Sequence, residues 1–214
     1  MKIALFDYGA GNLHSLAKAL EAGGATVTVT SHWKDALSLD ALVLPGVGAF
    51  GAAVKSLGPE AARVRESLEA GFPCLGICLG MQLFFDRSDE GDGDGIGFIP
   101  GSVRRFRTDI VPQMGWNDVS PSRIGAYGDD LPDPLFAGVN DLVAYYANSY
   151  VCRPSDESTI IATSVYQGAD FPAAVRKKNT WGVQFHPEKS SAPGLRVISN
   201  FLREVGGDRE GAKP

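Results

Sequence analysis

One cysteine of the chain lies in a sequence context typical of an enzymatic nucleophile. Cys78 is flanked by Gly76 and Gly80 in the segment GICLG, with an apolar strand-like run before it and an apolar helical run after it. This pattern predicts a tight strand-to-helix elbow, in which small neighbours allow a strained backbone that exposes the nucleophile. The same features are compatible with a buried packing cysteine, which is how we interpret Cys74 and Cys152.

A base for this thiol is predicted at the end of the strand-like run WGVQF, where His186 is followed by Pro187 and Glu188. Alternate residues of an extended chain share a face, so Gln184, His186 and Glu188 are expected on one side, and the proline favours extended geometry. On its own the segment is also typical of a solvated turn. Together with Cys78 it predicts a Cys–His–Glu triad in which Glu188 orients His186.

The segment LPGVG predicts an oxyanion hole. Gly46, Val47 and Gly48 follow a buried strand-like run, and backbone N–H groups there are free to point into a cleft. The N–H of Leu79, directly after the nucleophile, is the expected second donor. The stretch 46–51 also fits G-x-G-x-x-G, but a dinucleotide loop follows the first strand of a βαβ unit and this one follows roughly the third. We therefore predict no nucleotide cofactor.

No metal site is predicted. The acidic stretch DEGDGDGIG at 89–97 has Gly101 where a calcium loop needs its bidentate glutamate, so we interpret it as a flexible acidic loop. Cys74 and Cys78 form a C-x₃-C pair, but no second pair of ligands follows.

The elements that position these residues change character along the chain. The first 86 residues alternate strand-like and helix-like segments, which predicts a parallel sheet covered on both faces. Later strand-like segments are interpreted as antiparallel or mixed additions to the same sheet; they are 102–106, 142–151, 159–166, 173–177 and 181–186. A closing helix is expected at 192–205. The predicted fold is a single α/β domain over 1–205, with a central mixed, mostly parallel sheet and a frayed tail at 206–214.

Composition excludes several classes of protein. The 214 residues are 44% apolar with a net charge of −5, which suits one folded domain and argues against a nucleic-acid binder. No apolar run reaches the roughly 18 residues of a membrane span, and the first apolar run is too short for a signal peptide. Three cysteines form no disulfide framework, so we expect a cytoplasmic protein.

Taken together, these segments resemble class I (triad) glutamine amidotransferases, which have a flavodoxin-like α/β fold, over roughly 3–202. The GICLGMQ and HPE segments are shared across that family. The YGAGNL, PGVGAF, MGWN and HPEKS segments are similar to one branch of it, the glutaminase subunits of imidazole glycerol phosphate synthases in histidine biosynthesis. This combination of short motifs is highly specific.

The resemblance implies a set of roles. Cys78 would attack the side-chain amide of L-glutamine. His186 would transfer a proton to the leaving ammonia, and Glu188 would orient His186. Positions that match glutamine-binding sites of the family are Gln82, Asn148, Ser149 and Tyr150. The resemblance also implies a heterodimer with a cyclase subunit, a (βα)8 barrel that receives the ammonia. Positions that match the interface are Asn12, Trp116 and Lys189. No metal or organic cofactor is implied.

The chain departs from the family pattern at Asn148 and at Gln113, where family members usually or often carry histidine. Two alternatives stay open. One is a glutaminase subunit of another synthase, of the anthranilate or aminodeoxychorismate type, which would not be expected to carry MGWN or YGAGN. The other is a catalytically silent regulatory subunit, against which the presence of Cys78, His186 and Glu188 argues.

Overall fold

The computed structural model describes residues 1–9, 13–46, 48, 50–122 and 132–207. The strands are β1 (Lys2–Phe6), β2 (Thr26–Thr30), β3 (Ala41–Leu44), β4 (Cys74–Ile77), β5 (Arg87–Ser88), β6 (Gly91–Asp94), β7 (Gly101–Arg105), β8 (Gln113–Asp118), β9 (Ser120–Pro121), β10 (Val143–Asn148), β11 (Tyr150–Pro154), β12 (Ile160–Tyr166), β13 (Ala169–Lys177) and β14 (Thr180–Val183). The α-helices are α1 (His14–Ala22), α2 (Trp33–Ala36), α3 (Phe50–Leu57), α4 (Ala61–Glu69), α5 (Leu79–Gln82) and α6 (Ser191–Gly207).

The central sheet has eight strands in the order β2-β1-β3-β4-β14-β13-β12-β9. The pairs from β2 to β14 are parallel, and the pairs from β14 to β9 are antiparallel. The predicted mixed, mostly parallel sheet is therefore confirmed.

Both faces of this sheet are buried. Along β1, Ile3 and Leu5 belong to one hydrophobic cluster, which also takes in residues of α1 and α6. The alternate residues Ala4 and Phe6 belong to a second cluster, which takes in residues of α2, α3 and α4. The alternation follows from the two-residue period of a strand and confirms the prediction of helices on both faces.

The interpretation of the second half as additions to one sheet is wrong in part. Strands β10 and β8 form a separate two-stranded sheet, and β11, β7, β5 and β6 form a four-stranded one. The predicted strand 142–151 is two strands, β10 and β11, which enter different sheets on either side of Ser149. Periodicity indicates that a segment is extended, but it carries no information about which strand pairs with it.

The closing helix is longer than predicted. Helix α6 runs from Ser191 to Gly207, so residues 206 and 207, assigned to a frayed tail, are helical. The rest of that tail, 208–214, lies outside the described residues. None of the helices in the described part of the chain is long and apolar enough to cross a membrane.

The order of strands places Cys78 and His186 at the same edge of the central sheet. Strands β4 and β14 are parallel neighbours, with Ile77 opposite Val183. The segments that follow β4 and β14 therefore leave the sheet side by side at its carboxyl edge, which is where open α/β sheets form their ligand crevices. Cys78 follows β4 directly, and His186 lies three residues beyond the end of β14.

Candidate active site

Cys78 occupies the strained elbow that the sequence predicts. Its backbone has φ +48° and ψ −104°, a conformation that costs a non-glycine residue free energy. Its N–H donates to the carbonyl of Val183 at 2.7 Å. A Cβ added to Gly80 would overlap the backbone of Leu44, and one added to Gly76 would lie 2.6 Å from the Gly80 carbonyl carbon. The two flanking glycines are thus required by close backbone approach.

The His–Glu pair is formed, although by a different local structure from the one predicted. The extended chain does not continue to Glu188, because Pro187–Lys189 form a single turn of 3₁₀ helix. His186 keeps the predicted extended backbone, and its Nδ1 lies 2.9 Å from Glu188 Oε1. Both side chains are buried. The His186 N–H donates to the carbonyl of Tyr145 at 2.8 Å, which fixes the segment against β10.

The imidazole of His186 favours its protonated form. Burial lowers the pKa of His186, but hydrogen bonds to the side chains of Cys78 and Glu188 outweigh burial and raise that pKa to about 9. An imidazolium between a sulfur atom and a carboxylate can hold a proton ready for a leaving group.

Gly46 lies close to the side chains of both Cys78 and His186. A Cβ added there would be 2.8 Å from Cys78 Cβ and 2.8 Å from His186 Cε1. Gly48 has φ +111°, which few residues other than glycine adopt. Gly46, which we predict to belong to the oxyanion hole, therefore lies against Cys78, while Val47 lies outside the described residues.

A cleft of about 170 Å³ opens beside the nucleophile. It is lined by most of the residues that we predict from the sequence to bind the oxyanion and the substrate. Its lining consists of Gly46, Gly48, Cys78, Leu79, Gln82, Glu90, Ala147, Asn148, Ser149 and Tyr150.

Glu90 is a cleft residue that sequence reasoning missed. The acidic stretch that we interpreted as a flexible loop forms a β-hairpin instead, with β5 antiparallel to β6 and Glu90 in its turn. Glu90 Oε2 accepts a hydrogen bond from the N–H of Phe50 at 3.3 Å, at the start of α3. Partial burial raises the pKa of Glu90, and the Phe50 hydrogen bond opposes that effect. The glycines and aspartates of this stretch are residue types depleted in strands, which is why the sequence carried no hairpin signal.

Two buried glutamine side chains form a hydrogen-bonded chain that ends at the Cys78 sulfur atom. Gln184 is fully buried, and its Nε2 donates to Cys78 Sγ at 3.4 Å. Its Oε1 accepts from Gln82 Nε2 at 3.4 Å. Gln82 Nε2 also donates to the carbonyl of Tyr150 at 3.4 Å. The strand pattern placed Gln184 on the side of His186, but it carried no sign of contact with the nucleophile.

The two departures from the family pattern are neighbours in space. Gln113 on β8 pairs directly with Asn148 on β10, so both side chains point to the same face. Both residues are almost fully buried. The two polar atoms of the Gln113 amide and Asn148 Oδ1 are buried without a hydrogen-bond partner, whereas Asn148 Nδ2 donates to the Tyr150 carbonyl at 3.1 Å.

An exposed aromatic surface adjoins the site. Trp116 is 55% exposed and Met114 is 68% exposed, both on β8. The Trp116 ring packs edge-on against Tyr145, with ring centroids 6.1 Å apart, and the Tyr145 and His186 rings are 6.5 Å apart. Lys189 Nζ lies 5.8 Å from the Tyr145 ring centroid. Trp116 and Lys189, both predicted interface positions, therefore lie on one surface, while Asn12 lies outside the described residues.

Within the described ranges, no group of three or more His, Cys, Asp or Glu side chains is arranged to hold a metal ion. The site offers a cysteine thiol beside a histidine that favours its protonated form, in a cleft that Gly46, Gly48 and Leu79 help to line. An arrangement of this kind suits one class of protein, the enzymes that transfer acyl groups through a covalent thioester.

The comparison with known families identifies the class more narrowly. Residues 4–205 match the family described as glutamine amidotransferase class-I, and the chain belongs to that family.

Relatives of similar length share about two fifths of the sequence. The chain is 42% identical over 208 residues to the "Imidazole glycerol phosphate synthase subunit HisH" of Gloeothece citriformis, covering 95% of this chain and 96% of that protein. It is also 42% identical over 212 residues to the protein of the same name from Gloeobacter violaceus, covering 95% and 89%.

A solved structure agrees in fold. A glutamine amidotransferase from Thermotoga maritima superposes with a TM-score of 0.63 over 98% of this chain and 85% of that one. At 16% sequence identity, this likeness concerns the fold alone.

Proposed function

We propose that this chain is the glutaminase subunit of an imidazole glycerol phosphate synthase of histidine biosynthesis. It hydrolyses L-glutamine to glutamate and ammonia. The ammonia passes to a cyclase subunit that makes imidazole glycerol phosphate and an aminoimidazole carboxamide ribonucleotide. The observation that carries the proposal is the contact of Cys78 with a buried His186–Glu188 pair at the mouth of a small cleft. The names of the relatives support the choice of pathway.

The first half-reaction forms a thioester. The Cys78 sulfur attacks the side-chain carbonyl carbon of glutamine, and the π electrons of the C=O bond move to oxygen. When the tetrahedral intermediate collapses, the C–N bond breaks and the nitrogen takes the proton held by His186, so ammonia leaves. The His186 pKa of about 9 keeps that proton available near neutral pH.

The second half-reaction releases glutamate. Neutral His186 accepts a proton from water as the water oxygen attacks the thioester, and the C–S bond then breaks to restore the Cys78 sulfur. Glu188 stabilises the imidazolium through its 2.9 Å hydrogen bond in both half-reactions. All atoms come from glutamine and one water molecule.

The developing oxyanion would be held by backbone N–H groups. Leu79 begins the short helix α5, where the first N–H groups have no partner within the helix. Gly46 and Gly48 line the same cleft as Leu79, and Gly46 lies against the Cys78 side chain. Removal of one such donor typically costs on the order of 3 kcal/mol in the transition state.

The amino-acid end of glutamine suits the far side of the cleft. Gln82, Asn148, Ser149 and Tyr150 line it and offer amide and backbone groups. Glu90 adds a carboxylate to this lining, and a carboxylate is the natural partner of an α-ammonium group. We assign Glu90 to the ammonium group of the substrate.

The partner would dock on the exposed face of β8. Met114 and Trp116 present apolar area to solvent, Tyr145 lies behind Trp116, and Lys189 provides a charge at the edge. Aromatic residues surrounded by polar groups are typical of interface centres. We assign this surface to the cyclase subunit, a (βα)8 barrel, in a heterodimer.

The cysteine content suggests the cellular compartment. The three cysteines of the chain all lack disulfide bonds, which suits a reducing cytoplasm.

The test is glutamate release from L-glutamine by this chain alone, with the cyclase subunit, and with the cyclase subunit plus its nucleotide ligand. Strong stimulation by partner and ligand together is the expected result. Equal turnover without any partner would contradict the assignment to a synthase. Stimulation by an anthranilate or aminodeoxychorismate synthase subunit instead would assign the chain to that alternative.

A further inference from the structure

Cys78 has a side-chain hydrogen-bond donor that the triad chemistry leaves unused. Gln184 Nε2 lies 3.4 Å from Cys78 Sγ, and the Gln184 side chain is fully shielded from solvent. The backbone of Gln184 is fixed in the sheet, because its N–H donates to the carbonyl of Ala173 at 2.8 Å, and the side-chain Oε1 accepts a hydrogen bond from Gln82 Nε2 at 3.4 Å. A buried amide that is fixed in this way cannot turn its N–H away from sulfur without losing its bond to Gln82.

The hydrogen bonds in this network run in one direction. Gln184 presents its NH₂ group to sulfur and its oxygen to Gln82, which is the orientation that a thiolate requires, because a thiolate accepts hydrogen bonds and has none to donate. Gln82 then has to donate, and its Nε2 does so to Gln184 Oε1 and to the Tyr150 carbonyl. Its own Oε1 is the atom that remains to accept a hydrogen bond from a ligand in the cleft that it lines.

We infer that Gln184 stabilises the Cys78 thiolate by hydrogen-bond donation and links it, through Gln82, to the occupant of the substrate cleft. This inference rests on the proposed glutaminase chemistry for its role in turnover. A ligand that donates to Gln82 Oε1 strengthens the donor capacity of the Gln82 NH₂ group, and in turn that of Gln184, because bonds in a chain polarise one another. Substrate binding thus favours the reactive form of the nucleophile.

Other ionisable groups also face the Cys78 sulfur. His186 contacts it from the segment after β14 and is itself bonded to Glu188, Cys152 interacts with it electrostatically from β11, and Glu90 lines the same cleft from the β5–β6 hairpin. These groups are unchanged in variants of Gln184. A shift in the pH dependence of Cys78 reactivity between such variants therefore reports on the Gln184 amide.

The experiment is the rate of Cys78 alkylation by iodoacetamide as a function of pH, measured on the full chain by mass spectrometry of the Cys78 peptide. Burial shields Cys74 and Cys152 and raises the pKa of each thiol, so their labelling is slow, and Cys78→Ala gives the background. Gln184→Met keeps the side-chain length and removes the donor. Gln184→Glu replaces the donor with an acceptor. Thr180→Val, fully buried at the other end of β14, is the matched control.

We expect the midpoint of the alkylation profile to rise by about one pH unit in Gln184→Met, as for loss of a hydrogen bond to a charged group, and further in Gln184→Glu. Thr180→Val keeps the wild-type midpoint. Identical midpoints in wild type and both Gln184 variants would overturn the inference. If Gln184→Met does not fold, Gln184→Leu, which also removes the donor without adding a charge, gives the test instead.

Glutamate release from the same preparations separates this inference from the proposed function. A shifted midpoint together with loss of turnover at pH 7 that recovers at higher pH supports both. A shifted midpoint in a chain without glutaminase activity, even with its partner, overturns the proposed function and leaves the thiolate contact standing. An unshifted midpoint in an active enzyme overturns the role of Gln184 alone.

Discussion

His186 Nδ1 and Glu188 Oε1 lie 2.9 Å apart although the two residues belong to different local structures, the extended end of a strand segment and a 3₁₀ turn. The turn brings the carboxylate to Nδ1 of the imidazole, with both side chains more than nine-tenths buried. This contact and the one to Cys78 hold the pKa of His186 at about 9, against the lowering effect of burial.

A pH dependence follows from that contact. Because the imidazolium must donate its proton to the leaving nitrogen, glutamine hydrolysis should fall as the pH rises through about 9. Glu188→Gln removes a carboxylate that stabilises the charged form, so the alkaline limb of the kcat profile should move to lower pH. A profile whose alkaline limb is the same in wild type and variant would contradict this role of Glu188.

The same contact has an effect on stability. The folded-state pKa of His186 is raised above its value of about 6.5 in unfolded chains, so its contribution is complete below pH 6.5 and is lost as the pH rises through 9. The free energy of unfolding of wild type relative to Glu188→Gln should therefore decrease between these pH values. Denaturant titrations of both proteins at pH 6, 7.5 and 9 measure this difference in the free energy of unfolding.

Glu90→Gln should weaken glutamine binding. The variant keeps the shape of the side chain and removes the charge that we assign to the substrate ammonium group, so KM should rise about tenfold while kcat changes little. Asp92→Asn, an exposed residue of the same hairpin, is the matched control and should keep the wild-type KM. A KM unchanged by Glu90→Gln would remove Glu90 from the binding site.

Lys189→Ala should reduce stimulation by the partner more than it reduces folding stability. Lys189 lies against Tyr145, whose ring lies between Trp116 and His186, so its loss disturbs the surface that adjoins the histidine. The ratio of glutaminase rates with and without liganded cyclase should fall about fivefold or more. Lys34→Ala, exposed on α2, is the control. An unchanged ratio in Lys189→Ala would exclude Lys189 from the coupling.

Gln113→Met should stabilise the fold. Both polar atoms of the Gln113 amide are buried without a hydrogen-bond partner, and such atoms cost free energy that an apolar side chain of similar shape avoids. We expect the free energy of unfolding to rise by about 1 kcal/mol and glutaminase activity to stay within about twofold. A loss of stability would show that this amide is paired in solution.

The parts of the site that depend on local sequence were predictable. The elbow at Cys78 needs glycine on both sides because of backbone contacts within a few residues or with the adjacent strand, and Gly76 and Gly80 indicate it. The residue types of Cys78, His186 and Glu188 predicted a triad, whereas the pairing of β4 with β14 that places His186 beside Cys78 was shown only by the structure.

What the sequence did not predict depends on contacts between distant segments. Glu90 reaches the cleft because a glycine-rich stretch pairs as a hairpin, and Gln184 reaches sulfur because Gln82 holds its amide from another element. Strands β10 and β11 have the composition of central-sheet strands, yet they separate at Ser149 into different small sheets. Strand pairing of this kind is decided by packing among elements and leaves no local pattern.

The most direct test of the central claim uses Cys78→Ala in complex with the cyclase subunit. We predict that the variant complex loses glutamine-dependent formation of imidazole glycerol phosphate and retains the ammonia-dependent reaction at the wild-type rate, because only the ammonia source depends on this sulfur. Glutamine-dependent product formation that persists in Cys78→Ala would contradict the claim that Cys78 is the nucleophile.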